Sequence, residues 1–231
     1  MNTNGTRLIL AAVTAMGLWG ERAWGADGVW TKEAGGNWSA AANWAGGVMA
    51  NGAGATAWLT NNITANRTVT LDTTARTLGL LHLGDADGTH AFTLAASGSA
   101  RLILDNSGSP AQINQTAFSH TNTISAPLAL AGPVVIANAS TNELSISGVV
   151  TASVAAACTL SNAGAGSGGV TIRGVIGNGA GTVAVAQNSG KMIGPLEAAR
   201  FMQNDGTIQL TFTGTGGAAA AQVRTYLLPK A

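Results

Sequence analysis

The densest group of potential ligands is His82-Leu-Gly-Asp85-Ala-Asp87-Gly-Thr-His90. Two imidazoles and two carboxylates within nine residues are a donor set for Zn²⁺, and the carboxylates alone suit Ca²⁺. The same Asp-Ala-Asp-Gly run is also good turn chemistry. The further acids and terminal Glu of a Ca²⁺ loop are missing, so a plain turn is the preferred reading. A second feature is aromatic: Trp30, then Gly36-Asn37-Trp38, Asn43-Trp44 and Trp58, with no Trp afterwards. Trp faces stack on sugar rings, and they equally shield the open end of a repeat structure. Shielding is preferred for Trp30, Trp38, Trp44 and Trp58, with glycan contact as the alternative.

Other candidates lead to no chemistry. Glycines 164, 166 and 169 fit G-x-G-x-x-G, but a strand-like run follows them and no acid lies about 20 residues on, so a Gly-rich corner is expected. A glycan-cleaving site needs paired carboxylates. The acids beyond residue 26 are Asp27, Glu33, Asp72, Asp85, Asp87, Asp105, Glu143, Glu197 and Asp205, and they are scattered. The nucleophile elbow G-x-S-x-G is absent. Cys158 is the single cysteine and lies in the apolar run 154–160, which predicts a buried, inert thiol. No catalytic residue, metal or cofactor is predicted, and the chain is not read as an enzyme.

The elements that carry these residues are short. Arg67–Asp72 alternates polar and apolar, the mark of a half-buried strand. Similar runs follow at 77–83, 91–95, 100–105, 111–114, 123–130, 134–137, 143–150, 157–161, 170–176, 182–187 and 207–212. Turn residues separate them, among them Asp87-Gly88, Asn106-Ser107-Gly108 and Gly177-Asn178-Gly179. Only 195–202 reads as a helical turn. Ile124-Ser-Ala-Pro-Leu128, Ile146-Ser-Gly-Val-Val150 and Ile172-Arg-Gly-Val-Ile176 share one pattern, with starts 22 and 26 residues apart. Periods in that range indicate stacked repeats. The expected fold is all-β: a parallel β-helix of about six or seven rungs, some 30 Å long at ~4.8 Å per rung. Asn at equivalent corners is expected to form hydrogen-bonded ladders.

Composition agrees. The 231 residues are 9% charged, against a typical ~25%. Gly (32), Ala (44), Thr (27), Asn (17) and Ser (14) make up more than half the chain, as rung interiors and corners require. A net charge of +1 gives no basic footprint for nucleic acid. Residues 1–25 read as a secretory signal: Arg7, the apolar run Leu8–Leu18, and Ala23-Trp24-Gly25 before the cut. That run is too short to span a bilayer, and no transmembrane anchor is predicted. The domain plan is therefore 1–25 signal peptide, 26–66 Trp-rich N-terminal cap, 67–213 solenoid rungs, and 214–231 Gly/Ala-rich tail. The product is expected to be secreted or held at the cell surface.

Trp30, Trp38 and Trp44, followed by Thr68-Val-Thr-Leu-Asp72 and Leu78-Gly-Leu-Leu-His-Leu83, resemble the start of bacterial autotransporter-associated β-strand repeat proteins. Ala111-Gln-Ile-Asn114, Asn122–Leu128 and Leu144–Gly148 are similar to their rungs. The resemblance spans most of 26–190. It implies a secreted or cell-surface right-handed β-helix with no shared catalytic residues; the role is read as structural or surface-interaction, with surface polysaccharide or other exoproteins as candidate partners and none assigned. Such proteins usually continue into many more repeats and end in a barrel or sorting anchor. Here Gly206-Thr-Ile-Gln-Leu210 is only a faint repeat, so the chain reads as a fragment or as N-terminal rungs alone. The alternative function is a carbohydrate-binding or polysaccharide-degrading β-helix.

Overall fold

The computed structural model describes residues 25–187 and 210–212. The signal segment up to residue 24, the helical turn expected at 195–202 and the 214–231 tail lie outside the described residues. Among these residues nineteen strands form three sheets. The first sheet holds β1 (Gly28–Val29), β3 (Thr56–Leu59), β6 (Leu80–Leu83), β9 (Ala111–Gln115), β12 (Val134–Asn138), β15 (Cys158–Asn162), β18 (Val183–Gln187) and β19 (Leu210–Phe212). The second holds β2 (Gly36–Asn37), β4 (Arg67–Leu71), β7 (Phe92–Ala96), β10 (Asn122–Ile124), β13 (Leu144–Ile146) and β16 (Val170–Ile172). The third holds β5 (Arg76–Leu78), β8 (Leu102–Leu104), β11 (Leu128–Leu130), β14 (Val150–Ala152) and β17 (Ile176–Gly177).

From β4 to β18 the chain visits the second, third and first sheets in turn, and the strands of each sheet pair in parallel. The result is a parallel β-solenoid of about six turns. The described residues contain no α-helix, only single 3₁₀ turns at Ala41–Asn43 and Ala45–Gly47.

Alternation along each strand sends one set of side chains inward, where like residues stack. Val69, Leu94, Ile124, Ile146 and Ile172 make one column. Leu78, Leu104, Leu130 and Ala152 make another. The first four members of each column are buried, and each fully buried Leu or Ile is worth about 1.5–3 kcal/mol relative to exposure. The 22- and 26-residue spacings are rung lengths: Ile124 pairs with Ile146 and Ile146 with Ile172, while Leu128 pairs with Val150 and Val150 with Ile176.

The sequence runs at 123–130, 143–150 and 170–176 are each two strands, not one. A corner divides them, and the small third residue of the repeat sits on it. Ser147 and Gly148 both donate their N–H to the Ile124 carbonyl, at 2.9 and 3.1 Å. The chain turns there onto the next sheet. Alternating hydrophobicity continues through the corner, which is why the sequence pattern alone does not reveal it.

Polar ladders also form, but inside the solenoid. Gln115 and Asn138 occupy the same position on adjacent strands and are buried. Gln115 Nε2 donates to Asn138 Oδ1 at 3.1 Å, and Asn122 Nδ2 donates to Gln115 Oε1 at 3.0 Å. Asn122 Oδ1 accepts the Phe92 amide at 2.7 Å, and Asn138 Nδ2 reaches the Gly169 carbonyl at 2.6 Å. The ladder satisfies backbone groups where the chain leaves the first sheet and no strand partner is available.

Candidate functional site

The residues of the 82–90 group part company in the fold. His82 lies on β6 and points out of the first sheet, while Asp85 sits in the corner that follows. Asp85 is buried. Its Oδ1 accepts the Ile63 amide at 2.9 Å, and its Oδ2 accepts the amides of Thr89 and His90 at 3.1 and 3.0 Å. Asp87 is exposed, and its Oδ1 accepts the Thr89 hydroxyl at 2.7 Å and the Thr89 amide at 3.0 Å. These Thr89 bonds, with smaller contributions from the Asp85 and Asn62 side chains, hold the Asp87 carboxyl down to about 2. A carboxyl so acidic carries no proton to donate near neutrality. His90 Nδ1 is 2.7 Å from the Thr89 hydroxyl. The loop is thus a self-bonded turn. Among the described residues no group of three or more His, Cys, Asp or Glu side chains is arranged to hold a metal ion.

Among the described residues the tryptophans divide three to one. Trp30, Trp38 and Trp44 are buried together beside β1 and β2, the first strands of their sheets. Trp44 meets Trp38 at 4.6 Å between centroids and Trp30 at 5.3 Å, both edge-on. Each indole N–H finds a carbonyl: Trp30 to Lys32 at 2.8 Å, Trp38 to Ala50 at 3.0 Å, Trp44 to Trp38 at 2.8 Å. Buried rings offer no face to a sugar, so glycan contact is unavailable at these three. Trp58 differs. It is half-exposed on the outer face of the first sheet, stacked on His82 with centroids 5.8 Å apart and planes 5° from parallel. The two are 24 residues apart in sequence and meet because they share a register position. Burial of this pair pushes the His82 imidazole below its ordinary value.

The remaining candidates are structural. Gly164, Gly166 and Gly169 lie in the corner between β15 and β16; a Cβ on Gly164 or Gly166 would run into the backbone of Asn138 or Ser140 one turn below. The Cys158 thiol is buried, with Sγ 3.4 Å from the Leu130 carbonyl, and burial raises its pKa. A thiol so placed has little thiolate with which to react.

No protein-family model, curated protein or solved structure matches the chain.

Proposed function

We propose that the chain is an exported, non-enzymatic β-solenoid with a structural or cell-surface interaction role, of the kind its resemblance to autotransporter-associated β-strand repeats implies. The solenoid winds right-handed, as crossovers between parallel strands almost always do, and Trp30, Trp38 and Trp44 seal its first turn against water.

The observation that carries this reading is the employment of the acidic side chains. All seven acids within 25–187 hold structure. Asp27 and Asp105 accept the amides of Thr56 and Ser107 at 2.7 and 2.9 Å. Asp72 binds Ser39 through its amide and hydroxyl, at 3.0 and 2.5 Å. Glu33 pairs with Arg67 at 3.5 Å and bonds Thr64, and Glu143 pairs with Arg173 at 3.1 Å. Asp85 and Asp87 close the turn described above. A glycan-cleaving site would need two carboxylates free to exchange protons with substrate.

Fractionation of producing cells with mass spectrometry of the mature chain tests the proposal. Recovery outside the cytoplasm with an N-terminus at Ala26 is expected. Retention in the cytoplasm with Met1 in place overturns export, and release of new reducing ends from a panel of polysaccharides overturns the non-enzymatic assignment.

A further inference from the structure

The outer face of the first sheet carries two columns of side chains. One runs Val29, Trp58, His82, Asn114, Ala137, and the other Thr56, Leu80, Gln112, Val135, Ser161. Neither contains a charged residue, and all but Ser161 are partly exposed. Elsewhere the exterior carries the Arg67–Glu33 and Arg173–Glu143 ion pairs.

Two polar side chains of this strip, Trp58 and His82, are unspent. The indole N–H of Trp58, unlike those of Trp30, Trp38 and Trp44, meets no acceptor among the described residues, and neither ring nitrogen of His82 is hydrogen-bonded there. Asn114 Nδ2 donates to Gln112 Oε1 at 3.2 Å. That bond fixes both amides and leaves Asn114 Oδ1 and Gln112 Nε2 facing outward. Three successive rungs, ~4.8 Å apart, therefore present an indole donor, an imidazole and a pre-oriented amide pair beside apolar ring surface.

We infer that this strip binds a neutral polysaccharide strand, which names a partner class for the surface-interaction role and rests on that part of the proposed function. Sugar hydroxyls both donate and accept, so they match unpaired donors and acceptors without bringing a charge. An anionic glycan would set its carboxylates or sulfates over a face with no cation to meet them. A protein partner needs about 800 Å² per side, well beyond a strip two residues wide and ~19 Å long.

Affinity electrophoresis of the whole chain in gels containing a neutral mixed-linkage β-glucan, a neutral galactomannan or polygalacturonate tests the inference. Retardation by at least one neutral polymer and not by polygalacturonate is expected. Trp58→Ala should weaken it about tenfold, and Thr93→Ala, on the outer face of the second sheet, should leave it unchanged. Should Trp58→Ala fail to fold by circular dichroism, the double substitution Gln112→Ala with Asn114→Ala serves instead and should weaken binding at least as much as half of that effect. No retardation by either neutral polymer, equal retardation by polygalacturonate, or unchanged binding in a folded variant overturns the inference. None of these results bears on where the chain is exported, which the fractionation decides separately.

Discussion

Gly174 stacks on Gly148 at the corner between the second and third sheets, so closely that a Cβ built on Gly174 would overlap the Gly148 carbonyl. The Gly174 amide donates to the Ile146 carbonyl at 3.2 Å, which keeps the two turns in contact. Neither backbone can retreat without breaking the register of Ile146 on Ile172. Gly174→Ala is therefore expected to cost about 1–3 kcal/mol, the range for overpacking a close-packed site. Gly177→Ala is the control, since its added methyl meets only Thr151 Cγ2 at 3.9 Å. Urea unfolding of both variants checks the prediction; equal midpoints would refute it.

The corner after β6 depends on one carboxylate. Asp85→Ala leaves the amides of Ile63 and His90 without their acceptor, while the Thr89 amide keeps Asp87 Oδ1. Each buried donor left unpaired costs about 1–3 kcal/mol, and partial re-solvation brings the expected total to about 3 kcal/mol. Asp85→Asn keeps one carbonyl oxygen and should lose less. Because both Asp85 oxygens are committed to amides, neither Ca²⁺ nor a chelator should move the thermal midpoint; a rise with Ca²⁺ would contradict this arrangement.

The rung repeat was legible because Ile124, Ile146 and Ile172 recur at a period that only stacking explains. The corners inside each repeat were not, since the small residues at 126, 148 and 174 interrupt neither alternation nor hydrophobicity. Gln115, Asn122 and Asn138 are inward-facing, yet nothing in an isolated amide distinguishes a buried ladder from a solvated surface. The tryptophan group showed itself as a cluster, but its division did not. Trp58 owes its exposure to falling on the outward phase of β3, whose register with His82 is set by pairing across 24 residues. The 82–90 group divides for the same reason: one strand and one corner put His82 and Asp85 on different sides of the wall.

Trp38 anchors the first turn. Its ring is fully buried, its N–H holds the Ala50 carbonyl, and its own carbonyl holds Trp44. Trp38→Ala should cost about 3–5 kcal/mol, as truncation of a buried Trp usually does. In a quasi-one-dimensional structure that loss stays local. Amide hydrogen exchange should accelerate across β1 to β4 and much less in β12 and β15. Uniform acceleration along the solenoid would show that the first turn is coupled to all the others.

His82 links the outer face to pH. Burial against Trp58 disfavours the imidazolium, so its folded pKa lies below the ~6.5 of an unfolded histidine. Between the two values the unfolded chain binds more protons than the folded one, and stability rises with pH. The contribution is present in full above about 6.5 and is lost as pH falls through the folded value. The His82 ring proton resonances should titrate with a midpoint below 6.5, and Trp58→Ala, by exposing the ring, should raise that midpoint. His82→Gln should remove this part of the pH dependence of the thermal midpoint. A His82 midpoint at or above the free value, or one that Trp58→Ala leaves in place, would mean that the stacked indole does not control the protonation of its neighbour.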